Sequence, residues 1–237
     1  MAIGRFVWYD ACINDKEVSA MEITAPALWI NTNFSNFDEA VTTAVHKLYE
    51  IGGGFFTPFF EGVSFLGKGG IFLILLSLFL LFYRPTRRFG TAMLLGLAIG
   101  AIVCNLLLKP VIARPRPYAD QASIFYQYWL TVGQNVESDK SFPSGHTTAA
   151  FDSMTPVFML GKKWLRLLAV CFAVLMGIAR IYLCVHFPSD VLGGMIVGIL
   201  AGIIAVLIGK RLPQTWYEWE LGKKKAAENV GRHEIKR

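Results

Sequence analysis

The chain has 237 residues, 54% of them hydrophobic and 17% charged, with a net charge of +6. That balance, with a mean hydropathy of +0.46, excludes an ordinary soluble domain. Two uncharged runs, 89–108 and 191–209, approach the roughly 20 residues a helix needs to cross a bilayer core. The expected class is therefore all-α, a polytopic transmembrane helical bundle integral to the membrane.

Residues 1–36 read as an N-terminal polar segment, because Asp10, Asp15, Lys16, Glu17 and Glu22 interrupt any apolar core. No cleavable signal peptide is expected there. Residues 37–65 form either an interfacial helical hairpin or a weak sixth span. The apolar spacing of Phe37, Val41, Ala44, Val45 and Leu48 predicts a helix over 37–49. Gly52–Gly54 would end it, and Glu50, Pro58 and Glu61 favour the hairpin over a crossing.

Five spans are predicted over 66–209, at 66–83, 88–108, 144–161, 164–183 and 188–209. The third contains Asp152, Pro156 and several Ser and Thr residues, so its polar face must turn toward protein or water. Asp152 itself is expected to pair with a polar neighbour such as Asn105 or a water, or else to tune His146 or contact the substrate. The loop 111–142 is rich in proline and aromatics, among them Tyr118, Phe125, Tyr126, Tyr128 and Trp129, which suits a lid packed against lipid. Residues 210–237 carry eight Lys/Arg against four Asp/Glu, interleaved with Trp216, Tyr217 and Trp219. That pattern reads as a tail on an anionic membrane face rather than a nucleic-acid site.

Basic residues set the orientation. Arg84, Arg87 and Arg88, then Lys162, Lys163 and Arg166, then Lys210 and Arg211 fall on one side of alternating spans, which is expected to be cytoplasmic. Cys12, Cys104, Cys171 and Cys184 show no metal-ligand spacing. They are read as small apolar residues rather than a disulfide framework.

Three polar clusters lie at the opposite ends of the spans. Lys109 and Arg116-Pro117 offer a compact charge and a planar fork for phosphate oxygens. Pro143-Ser144-Gly145-His146 stands where a helix should begin, and free N–H groups there bind anions, with Gly145 allowing close approach. His186 and Asp190, four apart, can share a helical turn so that the carboxylate orients the imidazole. Arg180 ends the preceding span, where an arginine is costly unless partnered.

In order, these clusters resemble the signature of the type-2 phosphatidic acid phosphatase superfamily, which also includes vanadium haloperoxidases. That signature reads Lys-x6-Arg-Pro, Pro-Ser-Gly-His and Ser-Arg-x5-His-x3-Asp, and the chain departs from it at Ala179, where the family usually has serine. The resemblance implies a membrane phosphatase core over 66–209 in a bacterial plasma membrane, while the basic loops predict a basic cytoplasmic tail over 210–237 and a site facing outward. It implies His186 as nucleophile, Asp190 orienting it, and His146 protonating the leaving oxygen. Lys109, Arg116, Ser144, Gly145 and Arg180 would hold the phosphate, with no metal and no cofactor. The substrate would be a membrane lipid phosphate, first a polyprenyl (undecaprenyl) diphosphate, second phosphatidic acid or phosphatidylglycerophosphate. A lipid phosphotransferase using the same site is the other reading, and none of these motifs sets an oligomeric state.

Overall fold

The computed structural model describes residues 23–212. The basic tail from residue 213 and the polar segment up to residue 22 lie outside them. The described part is helical. Helix α1 spans Ala25–Gly52, α2 Thr57–Gly67, α3 Ile71–Phe82 and α4 Arg87–Ala101. A π-helical stretch, Ile102–Leu108, carries α4 into the single turn α5, Lys109–Ile112. Then come α6 (Ile124–Thr131), α7 (Gly145–Leu160), α8 (Lys163–Tyr182) and α9 (Pro188–Gly209).

Among the described residues, four helical stretches are long and apolar enough to cross a membrane: Thr57–Phe82, Arg84–Ala119, Lys163–Tyr182 and Pro188–Gly209. The predicted third span, α7, is not one of them. Its 16 residues extend about 24 Å at 1.5 Å per residue, short of a bilayer core. It survives by being central: α4, α8 and α9 all pack on it. Its Thr147, Thr148, Asp152 and Ser153 are buried in protein, as a polar helix at membrane depth requires. Close approach comes from small residues. A Cβ at Gly198 of α9 would lie 2.7 Å from the Thr148 carbonyl oxygen, and one at Gly96 of α4 would press into that of Asp152. The outer face of α9 instead exposes Leu192, Ile196, Leu200, Ile204 and Leu207, a stripe suited to lipid.

Three expectations change. First, the N-terminal helix starts at Ala25 rather than 37, because Thr24 caps it, accepting from the Ala27 N–H at 3.3 Å. Its inward face is Asp38, Thr42 and His46, while Phe37 is exposed. Of the apolar stripe, Phe37 and Ala44 are exposed while Val45 and Leu48 still pack at the edge of the hydrophobic core, and the polar stripe serves the buried cluster described below. Second, the first span does not begin cleanly at 66. α2 and α3 form one candidate crossing, broken at Lys68-Gly69-Gly70, where both glycines have positive φ (59° and 67°). Third, the aromatics of the 111–142 loop are half-buried and pack on protein rather than lipid. Tyr118 stacks on Trp129 at 4.8 Å, Tyr128 on His46 at 3.8 Å, and Phe125 meets Phe187 edge-on at 5.0 Å.

The two basic loops share one end of the bundle, since Arg88 Nη2 donates to the Leu160 carbonyl at 3.5 Å. All three polar clusters gather at the other end.

Candidate active site

A cavity of about 380 Å³ opens at that end. Of the residues expected from sequence, Lys109, Arg116, Gly145, His146 and His186 line it. Arg180, Ser144 and Asp190 stand behind this wall.

His186 follows α8 by four residues and is buried. Its Nε2 lies 2.9 Å from Arg116 Nη1. A guanidinium only donates, so Nε2 is the acceptor and the ring proton sits on Nδ1. On that side Asp190 Oδ2 is 3.6 Å away and Ser141 Oγ 3.5 Å. Asp190 is itself fixed: Oδ2 accepts from Ser141 Oγ at 2.5 Å and from the Phe187 N–H at 2.9 Å. The imidazole is therefore held in one tautomer with a lone pair facing the cations. Burial first, then the charges of Arg116 and Arg180, push the His186 imidazole well below its ordinary value. That favours the neutral ring, the form in which an imidazole can attack an electrophile.

Ser144 is the N-cap of α7, and its Oγ accepts from Thr147 Oγ1 at 2.9 Å and the Thr147 N–H at 3.4 Å. It is fully buried and off the cavity wall. Its geometry suits fixing the helix start rather than touching an anion directly. Gly145 then presents bare backbone to the cavity. A Cβ there would meet Lys109 Nζ at 3.5 Å and fill the space in front of that ammonium.

The cations are not idle. Lys109 and Arg116 both pair with Asp139, and Arg180 pairs with Glu137 and donates to Ser64 Oγ. Burial pushes the Asp139 carboxyl up, but the hydrogen bond from Lys109 and the charges of Arg116 and Lys109 outweigh it and hold it below the usual carboxylate range. A tetrahedral anion entering the clamp must displace both carboxylates. Asp139 is 48% exposed, so each pair is screened and worth at most about 1 kcal/mol. Asp139→Asn is expected to tighten inorganic phosphate binding about 3- to 10-fold, read by calorimetry. Unchanged affinity would mean that the loop leaves the clamp without cost.

Several residues escaped the sequence reading, two of them in contact with Asp190. Arg114, two before Arg116, is 1% exposed. Its Nη1 donates to Asp190 Oδ1 at 2.5 Å and Ser189 Oγ at 2.7 Å, its Nη2 to Asp38 Oδ2 at 2.9 Å, and its Nε to Asn31 Oδ1 at 2.7 Å. It ties α1 to the start of α9 behind His186. Ser141 is the second. Asp152 lines the deep end of the cavity, but the expected pairing with Asn105 is not made, and its Oδ1 has no hydrogen-bond partner. Among the described residues, no group of three or more His, Cys, Asp or Glu side chains is placed to hold a metal. Cys104 and Cys184 are buried and Cys171 exposed, all three free.

The sequence pattern of the PAP2 superfamily matches residues 89–213. Phosphatidylglycerophosphatase B of Bacillus subtilis is 32% identical over 185 residues, covering 72% of this chain and 83% of that protein. An undecaprenyl-diphosphatase of Sulfolobus acidocaldarius is 31% identical over 146 residues, covering 62% and 67%. The crystal structure of a transmembrane PAP2-type phosphatidylglycerolphosphate phosphatase from Bacillus subtilis superposes with a TM-score of 0.61 at 30% identity, covering 80% of this chain and 92% of that one.

Proposed function

The chain belongs to the PAP2 superfamily as an integral membrane lipid phosphatase, and we propose that it hydrolyses a lipid diphosphate through a phosphohistidine, without a metal, at the extracytoplasmic face. The observation that carries this reading is the neutral His186 ring, its Nε2 beside Arg116 and its Nδ1 facing Asp190. Nε2 attacks phosphorus while Asp190 stabilises the imidazolium that forms. His146 protonates the leaving oxygen and then takes a proton from the water that cleaves the phosphohistidine. Lys109, Arg116 and Arg180 neutralise the transferred phosphoryl group, and the Gly145 N–H, aimed by the Ser144 cap, adds a donor.

Polyprenyl diphosphate is the first substrate reading, with phosphatidylglycerophosphate or phosphatidic acid second. The relatives support both, one being an undecaprenyl-diphosphatase and another a phosphatidylglycerophosphatase. The outward side rests on the basic loops at the far end of the bundle, and the bacterial plasma membrane on the Bacillus subtilis source of the phosphatidylglycerophosphatase B relative.

The test uses the purified chain in detergent with excess EDTA. Undecaprenyl diphosphate, phosphatidylglycerophosphate and phosphatidic acid are each supplied without an acceptor alcohol. Phosphate release unchanged by the chelator is expected. Loss of activity on chelation would overturn the metal-free mechanism, and release only on adding an acceptor would make the protein a phosphotransferase. In intact cells, a cysteine at the exposed Gln121 is expected to react with an impermeant maleimide; protection until lysis would reverse the topology.

A further inference from the structure

The first candidate span, Thr57–Phe82, has a lysine near its middle. Lys68 opens the break between α2 and α3, and Gly69 and Gly70 follow with φ of 59° and 67°. A cation within a lipid-length apolar stretch is costly unless it faces a polar cavity or a partner. Among the described residues Lys68 makes no ion pair, and it lines the same cavity as Lys109, Arg116 and His186.

The position of the break within that cavity is specific. A Cβ on Gly67 would lie 2.8 Å from His146 Cδ2, so the turn is pressed against the histidine assigned as the general acid. In an in-line displacement the nucleophile and leaving oxygen stand on opposite sides of phosphorus. With His186 attacking and His146 on the leaving oxygen, the Gly67–Gly70 turn lies on the leaving-group side. Lys68 is thus separate from the Lys109, Arg116 and Arg180 clamp. A lipid alcohol, once protonated, needs no second cation there. A leaving phosphate does, because it departs with negative charge.

We propose that Lys68 binds the second phosphate of a lipid diphosphate and stabilises it as it leaves. The inference rests on the phosphohistidine reading above and narrows its substrate class. As the Nε2–phosphorus bond forms, the bond from that phosphorus to the bridging oxygen breaks. The bridging oxygen keeps the electron pair and becomes a terminal oxygen of the lipid monophosphate, protonated by His146 and paired with Lys68. Water then cleaves the phosphohistidine to inorganic phosphate. Ile74 and Leu97 offer apolar wall for the first carbons of the tail.

Farnesyl diphosphate and farnesyl monophosphate share one tail and separate the two phosphates. With purified full-length protein, Lys68→Ala and Lys68→Gln are expected to lower the ratio of kcat/KM on diphosphate to that on monophosphate by about 10-fold or more. Lys68→Arg is expected to restore most of that ratio. Equal losses on both substrates, or an unmoved ratio, would overturn the assignment. So would a wild-type protein that cleaves only the monophosphate, which leaves the hydrolase reading standing. A wild-type protein inactive on both, with other lipid phosphates also untouched, would remove that reading and this one together.

Discussion

His186→Ala is expected to reduce phosphate release to background, a loss of about 10⁴-fold or more, because no other group can form the covalent intermediate. The side chain is buried, yet its loss should not be read as unfolding, since the histidine makes no bond that other residues of the cluster lack. Asp190 keeps Ser141, Arg114 and the Phe187 N–H, and Arg116 keeps the Val185 carbonyl at 2.7 Å and Asp139. A near-native melting temperature is therefore expected alongside the lost activity. His146→Gln separates the two histidines. An acid is needed for an alkoxide or phosphate leaving group and hardly at all for p-nitrophenolate. That variant should lose about 10²- to 10⁴-fold on lipid substrates and far less on p-nitrophenyl phosphate, whereas His186→Ala loses both alike. Residual lipid hydrolysis by His186→Ala at a tenth of the wild-type rate would disprove the nucleophile assignment.

The contrast between these histidines and the residues around them shows what a sequence carries. Lys109, Arg116, His146, His186 and Asp190 lie within short motifs, so spacing alone placed them, and the order of spans put them at one end. Lys68 and Asp152 gave a weaker signal, being charges inside apolar runs; their cost says that something faces them, not what. Glu137 and Asp139 gave none, because acids in a loop look like solvated residues until the cations they meet are known. Arg114 was hidden differently. Arg114-Pro115-Arg116-Pro117 offers two arginines at alternating positions, and the signature uses the second. The partner that explains the first, Asp38, lies 76 residues earlier, on a helix that its apolar spacing announced without showing what its polar stripe meets. At a membrane a polar stripe can pack inward on protein while part of an apolar face turns to lipid.

Arg114 is where that inward polar stripe has the largest consequence. Its guanidinium is shared between Asp38 and Asp190, both nearly fully buried, and it lies over the Phe187 ring at 3.9 Å. Arg114→Ala would leave two buried carboxylates without their cation. Breaking a buried pair in this way costs about 3–5 kcal/mol, which for a chain of this size lowers the melting temperature by roughly 10 °C. Arg114→Lys keeps one charge but not the fork, so it cannot serve Asp38, Ser189 and Asp190 together. Because Arg114 does not line the cavity beside His186, its effect on chemistry must pass through Asp190 and the tautomer of His186. Arg114→Lys is accordingly expected to lower kcat by about 10-fold or more while leaving KM within about twofold. A merely structural arginine would instead lower the fraction of folded enzyme and leave the turnover of the remainder intact. Active-site titration by the phosphohistidine burst separates the two cases: wild-type turnover per titrated site would remove Arg114 from the positioning role. Asp38→Asn supplies the second measurement, since its coupling to Arg114 in a double-mutant cycle should reach about 1–3 kcal/mol if the α1 carboxylate and the arginine act as one unit.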